Sequence, residues 1–253
     1  MTPATIRAFA DNAADPKVRG YIHTPETPNG SGLVLTHGAG SNANAPLLVA
    51  IAETFAANGF TVLRCDLPYR QTKSFGPPNP AGAAADRAGL KNAVVALETE
   101  LGALFLAPVA RSGDSPSSLP SNVPSPSPRP PRVVLGGHSY GGRQASMLCA
   151  EDPTLVPALL LLSYPLHPPR KPEQQRTQHL PDLRTPALFV SGTRDPFGTI
   201  AELQQALKMI PARTKLLPIE GAGHDLGFKG KAKQEELTSK IFSELTTFLK
   251  LSS

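Results

Sequence analysis

From residue 33 onward, short apolar runs alternate with longer stretches in which apolar side chains recur every three or four positions. LVLTH (33–37), FTVLRCDL (60–67), RVVLGG (132–137), ALLLLS (158–163), PALFVSG (186–192) and TKLLPIEG (214–221) read as strands. Between them, Leu47, Ile51 and Phe55 mark one face of a helix over 44–58, with Gly59 at its expected C-cap. Leu90, Val94, Leu97, Leu101 and Leu104 do the same over 82–106, and a further helix runs from the glycines after residue 137 to about Ala150. Ile200, Leu203, Leu207 and Ile210 mark another, and Leu237, Ile241, Leu245, Phe248 and Leu249 mark a closing one. Strands without polar alternation, separated by helices, predict a mostly parallel, doubly wound sheet covered on both faces. Residues 5–23 are expected to add one or two antiparallel edge strands.

One segment breaks this rhythm. Residues 107–131 hold eight prolines and seven serines and almost no large apolar side chains. Such a stretch cannot bury enough surface to offset its ordering entropy, which predicts a disordered surface insertion within one domain spanning 1–253. Prolines number 28 of 253 residues, and the excess falls almost wholly between the predicted elements.

Composition removes several function classes. Two cysteines, Cys65 and Cys149, leave no disulfide framework and no cysteine-based zinc cluster. The first 17 residues lack an apolar core of signal-peptide length, and no apolar run approaches the ~20 residues of a membrane span. A cytoplasmic protein without membrane contact is expected. The net charge is +5, but the 25 Lys and Arg are scattered, which argues against nucleic acid as a partner. No phosphate loop or dinucleotide fingerprint occurs, so no cofactor and no metal are expected.

The chemistry gathers at strand ends. GHSYG (137–141) is a G-x-S-x-G motif after a buried strand and before a helix, the context a nucleophile elbow needs. Ser139 then requires a base and an acid to orient that base, in the order Ser, Asp or Glu, His for this fold class. His224, in EGAGHDL after the last strand, lies on the active edge, while His167 and His179 fall in a proline-rich connection. Asp195 in SGTRDPFG follows strand 186–192 and can approach His224; the preceding strand ends in Ser163-Tyr164, without a carboxylate. Tyr140 N–H, at a helix start, and Ala39 N–H, in HGAG (37–40), are the candidate oxyanion donors. His37 reads as a hydrogen-bonding organiser of its loop.

With these motifs in place, the chain resembles α/β-hydrolases over about residues 20–250, the proline-serine segment excepted. THGAGSN, LRCDLPYR, GGHSYGGR, YPLHPPRKPE and SGTRDPFG resemble a family of small hydrolases related to dienelactone hydrolases. That family also contains a mammalian testis-expressed protein and the hydrolase-like domain of a chromatin-complex subunit. The resemblance implies the triad Ser139, Asp195 and His224. Dienelactone hydrolases proper carry a cysteine nucleophile; here the elbow carries serine.

Basic residues surround the nucleophile. Arg70 and the lid residues His167 and Arg170 are candidates to recognise an anionic ester or thioester. Arg143 or Arg64 could instead pair with Asp66 as structural glue. The presumed lid, 164–184, is short and proline-rich, which favours small acyl substrates over triglycerides. The expected activity is a serine hydrolase acting on a small-molecule ester or thioester through an acyl-enzyme. The alternatives are a hydrolase-fold scaffold without turnover and, among enzymes, dienelactone-hydrolase-like, peptidase, haloperoxidase-like or lyase chemistry.

Overall fold

A computed structural model describes residues 4–106, 132–228 and 231–250. The proline-serine segment 107–131, read above as a disordered insertion, lies outside the described residues. Eight strands form one sheet: β1 (Thr5–Asp11), β2 (Val18–Thr24), β3 (Ser31–Thr36), β4 (Thr61–Cys65), β5 (Arg132–His138), β6 (Leu159–Leu162), β7 (Ala187–Gly192) and β8 (Thr214–Ile219). Their spatial order is β1-β2-β4-β3-β5-β6-β7-β8. β1 and β2 are the expected antiparallel additions, and β3 through β8 run parallel.

The helices are α1 (Pro46–Ala57), α2 (Pro68–Thr72), α3 (Ala83–Leu106), α4 (Tyr140–Glu151), α5 (Ile200–Leu207) and α6 (Lys231–Lys250). α1 and α6 cover one face, where Leu48, Ile51, Phe55, Ile241 and Leu245 pack on Leu35, Val62, Leu160 and Val190. α3, α4 and α5 cover the other, with Leu90, Val94, Leu97, Leu148 and Leu203 against Val34, Leu63, Leu135, Leu161 and Phe189. The central strands are apolar on both sides because both sides are covered, and β6 is buried at every position. The last turn of α3 departs from the periodicity: Leu101 is fully buried, whereas Leu104 is 37% exposed.

Gly59 ends α1 as expected. At φ +89° it turns the chain left-handed, so Gly59 N–H reaches Ala56 O (3.0 Å) and Phe60 N–H reaches Phe55 O (3.1 Å). These are the paired bonds of a Schellman cap. The chain is thereby sent straight into β4, whose C-terminal end carries part of the site. Among the described residues no helix is long and apolar enough to cross a membrane.

Candidate active site

One residue separates β5 from α4. Ser139 stands at φ 52°, ψ −117°, a left-handed conformation that a side chain tolerates only under constraint, at a cost of about 1–3 kcal/mol. Two glycines allow the turn. A Cβ on Gly137 would stand 2.5 Å from Gly142 N, and one on Gly142 would stand 2.6 Å from Gly137 O. Strand and helix therefore meet backbone to backbone, and Ser139 is forced outward at their apex. Its own N–H bonds Leu162 O at 2.8 Å, fixing the apex to the end of β6.

A continuous hydrogen-bond chain begins at this serine. Ser139 Oγ lies 2.8 Å from His224 Nε2, and His224 Nδ1 lies 2.9 Å from Asp195 Oδ2 and 3.1 Å from Oδ1. The Asp195 side chain is 1% exposed and accepts Phe197 N–H at 2.9 Å. Gly192 lets the two loops approach, since a Cβ there would stand 2.3 Å from Ala222 O. The Phe197 ring lies 4.2 Å from the His224 ring and closes one side of it.

His138 was not singled out by the sequence pattern. It occupies the x position of G-x-S-x-G, and its Nε2 lies 2.9 Å from His224 O, tying the histidine loop to the nucleophile strand. Burial pulls its pKa down to about 4, and burial does the same, to about 4, at His23 and His179. All three stay neutral in the folded protein at a pH where the unfolded chain, with values near 6.5, protonates. Unfolding near pH 5 should thus take up roughly two to three protons from these groups. Stability should be fully present above pH 6.5 and fall as the pH drops towards 4. Thermal melts across that range test this; a flat melting temperature would contradict it.

Facing the apex is the loop 37–45. Gly38 O accepts His37 Nδ1–H (2.9 Å), Ser41 N–H (3.1 Å) and Tyr69 O–H (3.3 Å). Because a trans peptide sends its N–H opposite to its carbonyl, these bonds fix the direction of Ala39 N–H. A Cβ on Gly38 would stand 3.4 Å from Ser139 Cβ, so this peptide lies against the nucleophile. Tyr140 N–H is among the first N–H groups of α4, which have no intrahelical partner. Asp86 joins the two sides, accepting Tyr140 O–H at 2.8 Å and Tyr69 N–H at 3.1 Å. It too was missed, as one carboxylate in the first turn of a long apolar helix.

Arg70 requires a correction. Its Nε donates to Ser41 O (2.7 Å), one terminal nitrogen to Lys73 O (2.8 Å), and the other to Ala39 O and Gly76 O (2.9 Å each). A guanidinium spent on four carbonyls and 7% exposed organises the loop and has little left for a substrate. His167 is committed too, with Nδ1 2.8 Å from Pro168 O and Nε2 3.5 Å from Glu202. Arg170 stands in an exposed turn at φ 62°. The structural-glue expectation for Arg64, Arg143 and Asp66 also fails. Asp66 takes Ala43 N–H (2.7 Å) and lies 3.6 Å from His37 Nε2, while Arg64 Nε donates to His23 Nε2 (2.8 Å). His37 organises its loop, its Nε2 accepting Leu67 N–H at 3.2 Å.

Two thiols are out of contention as nucleophiles. Burial pushes Cys65 and Cys149 up to about 12. A cavity of about 390 Å³ is walled by Gly38, Pro46, Leu47, Leu48, His138 and Phe228. Neither Ser139 nor His224 is among its lining residues.

A family model for an alpha/beta hydrolase domain matches residues 120–250, just over half of the chain and the part bearing Ser139, Asp195 and His224. The chain belongs to this alpha/beta hydrolase family. Solved structures agree over nearly the whole length. A dienelactone hydrolase from Anabaena variabilis is 21% identical, with 96% of this chain and 99% of that one covered and a TM-score of 0.66. An alpha-beta serine hydrolase homologue from Coxiella burnetii is 12% identical, with coverages of 97% and 99% and a TM-score of 0.66. An esterase from Pyrococcus furiosus is 15% identical, with coverages of 98% and 91% and a TM-score of 0.66. At these identities the likeness is one of fold. The protein is a hydrolase of the α/β fold.

Proposed function

We propose that this α/β-hydrolase is a serine esterase or thioesterase acting on small soluble acyl compounds through an acyl-enzyme. The observation that carries the reading is the unbroken chain Ser139–His224–Asp195, at 2.8 and 2.9 Å, rising from a serine held at positive φ. An apex serine without catalytic duty gives no reason to retain that backbone strain.

The steps follow from the geometry. His224 Nε2 takes the hydroxyl proton as Ser139 Oγ attacks the acyl carbon. Asp195 holds the Nδ1–H tautomer and stabilises the imidazolium. Ala39 and Tyr140 N–H receive the developing oxyanion. His224 then delivers its proton to the leaving oxygen or sulfur, and water reverses the sequence to release the acid. Arg70, Tyr69 and Asp86 act at one remove by fixing the peptide that presents Ala39 N–H. The connection 164–184 contains one short 3-10 turn, Leu180–Asp182, and no amphipathic helix. The absence of an amphipathic cap there favours short acyl groups.

A rapid-mixing assay with p-nitrophenyl esters of increasing chain length and acyl-CoA thioesters tests the reading. A burst of product close to one per enzyme, strongest for short chains, is expected. Absence of both burst and turnover across the panel would favour a scaffold without catalysis. Asp195→Asn should keep the fold and lower kcat about 10,000-fold, because the amide selects the wrong His224 tautomer. A loss below tenfold would remove Asp195 from the mechanism.

A further inference from the structure

The mechanism leaves the cavity of about 390 Å³ unused. Its volume is that of a small-molecule site, and much of its wall is apolar: Pro46, Leu47 and Leu48 from the start of α1, and Phe228 from the chain after β8. Most of its polar wall residues are already accounted for. His37 spends both ring nitrogens, Nδ1–H on Gly38 O (2.9 Å) and Nε2 on Leu67 N–H (3.2 Å). Ser41, Asp225 and Gln234 are half-buried or exposed, so water serves them.

His138 is different. Its Nε2 lies 2.9 Å from His224 O, and a carbonyl only accepts, so the ring proton sits on Nε2. Burial pulls its pKa down to about 4, which keeps the ring neutral and leaves a lone pair on Nδ1. No donor among the described residues meets that nitrogen, and it is not sealed from solvent. It stays uncovered because residue 38 is glycine: a Cβ there would stand 3.0 Å from His138 Nδ1. Gly38 and His138 both line the cavity, so its wall carries an acceptor that lacks a donor. The formal charge on the wall is the Asp225 carboxylate, which disfavours an anionic occupant.

We propose that this cavity binds a small, neutral, largely apolar molecule whose hydroxyl or N–H donates to His138 Nδ1, and that its occupancy is felt at His224. The link is the ring itself. Its opposite nitrogen holds His224 O, and the two imidazoles lie 5.1 Å apart. Elsewhere the histidine loop is tied to the turn after β7, through Ala222 O to Arg194 N–H (2.8 Å) and Gly221 N–H to Thr193 Oγ1 (2.9 Å). His138 instead bonds its backbone to β5, the strand that carries Ser139. A donor at Nδ1 polarises the ring and strengthens the Nε2–H bond to that loop. The donor group belongs either to an arm of the substrate or to a separate molecule, and kinetics tell the two apart. Binding stands without the hydrolase reading; the effect on turnover rests on it.

Two measurements test this. The first needs no turnover: phenol against toluene, and indole against 1-methylindole, are titrated into the full chain by ligand-observed NMR. The donor-bearing member of each pair should bind about fivefold more tightly. His138→Phe should erase that preference while toluene still binds, and Ala45→Leu, which adds bulk to the cavity wall, should weaken all four. Equal binding within the pairs, a preference that survives His138→Phe, or binding untouched by Ala45→Leu would overturn the site. Benzoate binding as tightly as phenol would overturn the neutral assignment. Should His138→Phe fail to fold, the matched pairs and Ala45→Leu still decide. The second follows p-nitrophenyl acetate hydrolysis with indole present. A raised KM alone assigns the cavity to an arm of the ester; a changed kcat assigns it to a separate molecule acting through His138. Ala45→Leu should cancel either effect, and a bound probe that alters neither constant would overturn the link to His224. A protein without turnover would sink the hydrolase reading and leave the binding result standing.

Discussion

Replacing Ser139 with alanine is expected to lower kcat on the best ester by roughly 10,000- to 1,000,000-fold, with the remainder due to binding and the oxyanion donors. The loss should be near total because His224 has only Ser139 Oγ to deprotonate, at 2.8 Å. The same substitution should leave stability almost unchanged, since alanine inherits the φ of 52°. Glycine relieves it. Ser139→Gly should therefore be as inactive as Ser139→Ala yet more stable, by about 1 kcal/mol, if the turn is strained as its backbone angles indicate. Thermal melts of the two variants, beside steady-state kinetics, check both halves. Equal melting temperatures would mean that the strain is absent.

The second large effect concerns the turn itself. Gly137→Ala should prevent the elbow from closing and destabilise the protein by about 3 kcal/mol or more. The added Cβ would lie 2.5 Å from Gly142 N and 2.6 Å from Gly141 C. Both neighbours are backbone, so no side chain can swing aside. Either β5 and α4 separate, displacing Ser139 from His224, or the chain fails to fold. Soluble yield, melting temperature and esterase activity should all fall. Gly40→Ala is the matched control, because a Cβ there meets nothing within 4 Å. An active, stable Gly137→Ala protein would contradict the backbone contact on which the site is built.

The parts legible in the sequence are those governed by local pattern. Continuous apolar runs such as LLLL in β6 gave away a doubly covered sheet, and G-x-S-x-G after one of them marked the turn. Ser139, His224 and Asp195 could be brought together because each follows its own parallel strand, and parallel strands place their C-terminal ends on one edge. Side-chain roles set by long-range contact could not be read this way. Arg70 lies in the right loop for a substrate hand, and only the fold shows four carbonyls converging on it. Asp86 sits 54 residues from the Tyr140 hydroxyl it accepts, and His138 86 residues from the carbonyl it holds. Arg143 could be seen in GGHSYGGR, but its buried, partnerless Nε emerges only from the fold.

The central claim is that Ser139 is a nucleophile activated by its neighbours. Intact-mass analysis after treatment with a fluorophosphonate tests it most directly, since the reagent needs an activated serine but no knowledge of the substrate. One phosphonyl adduct per chain is predicted, mapped to the peptide that carries Ser139 and absent from Ser139→Ala. A folded protein that stays unmodified, or one labelled elsewhere, would contradict it.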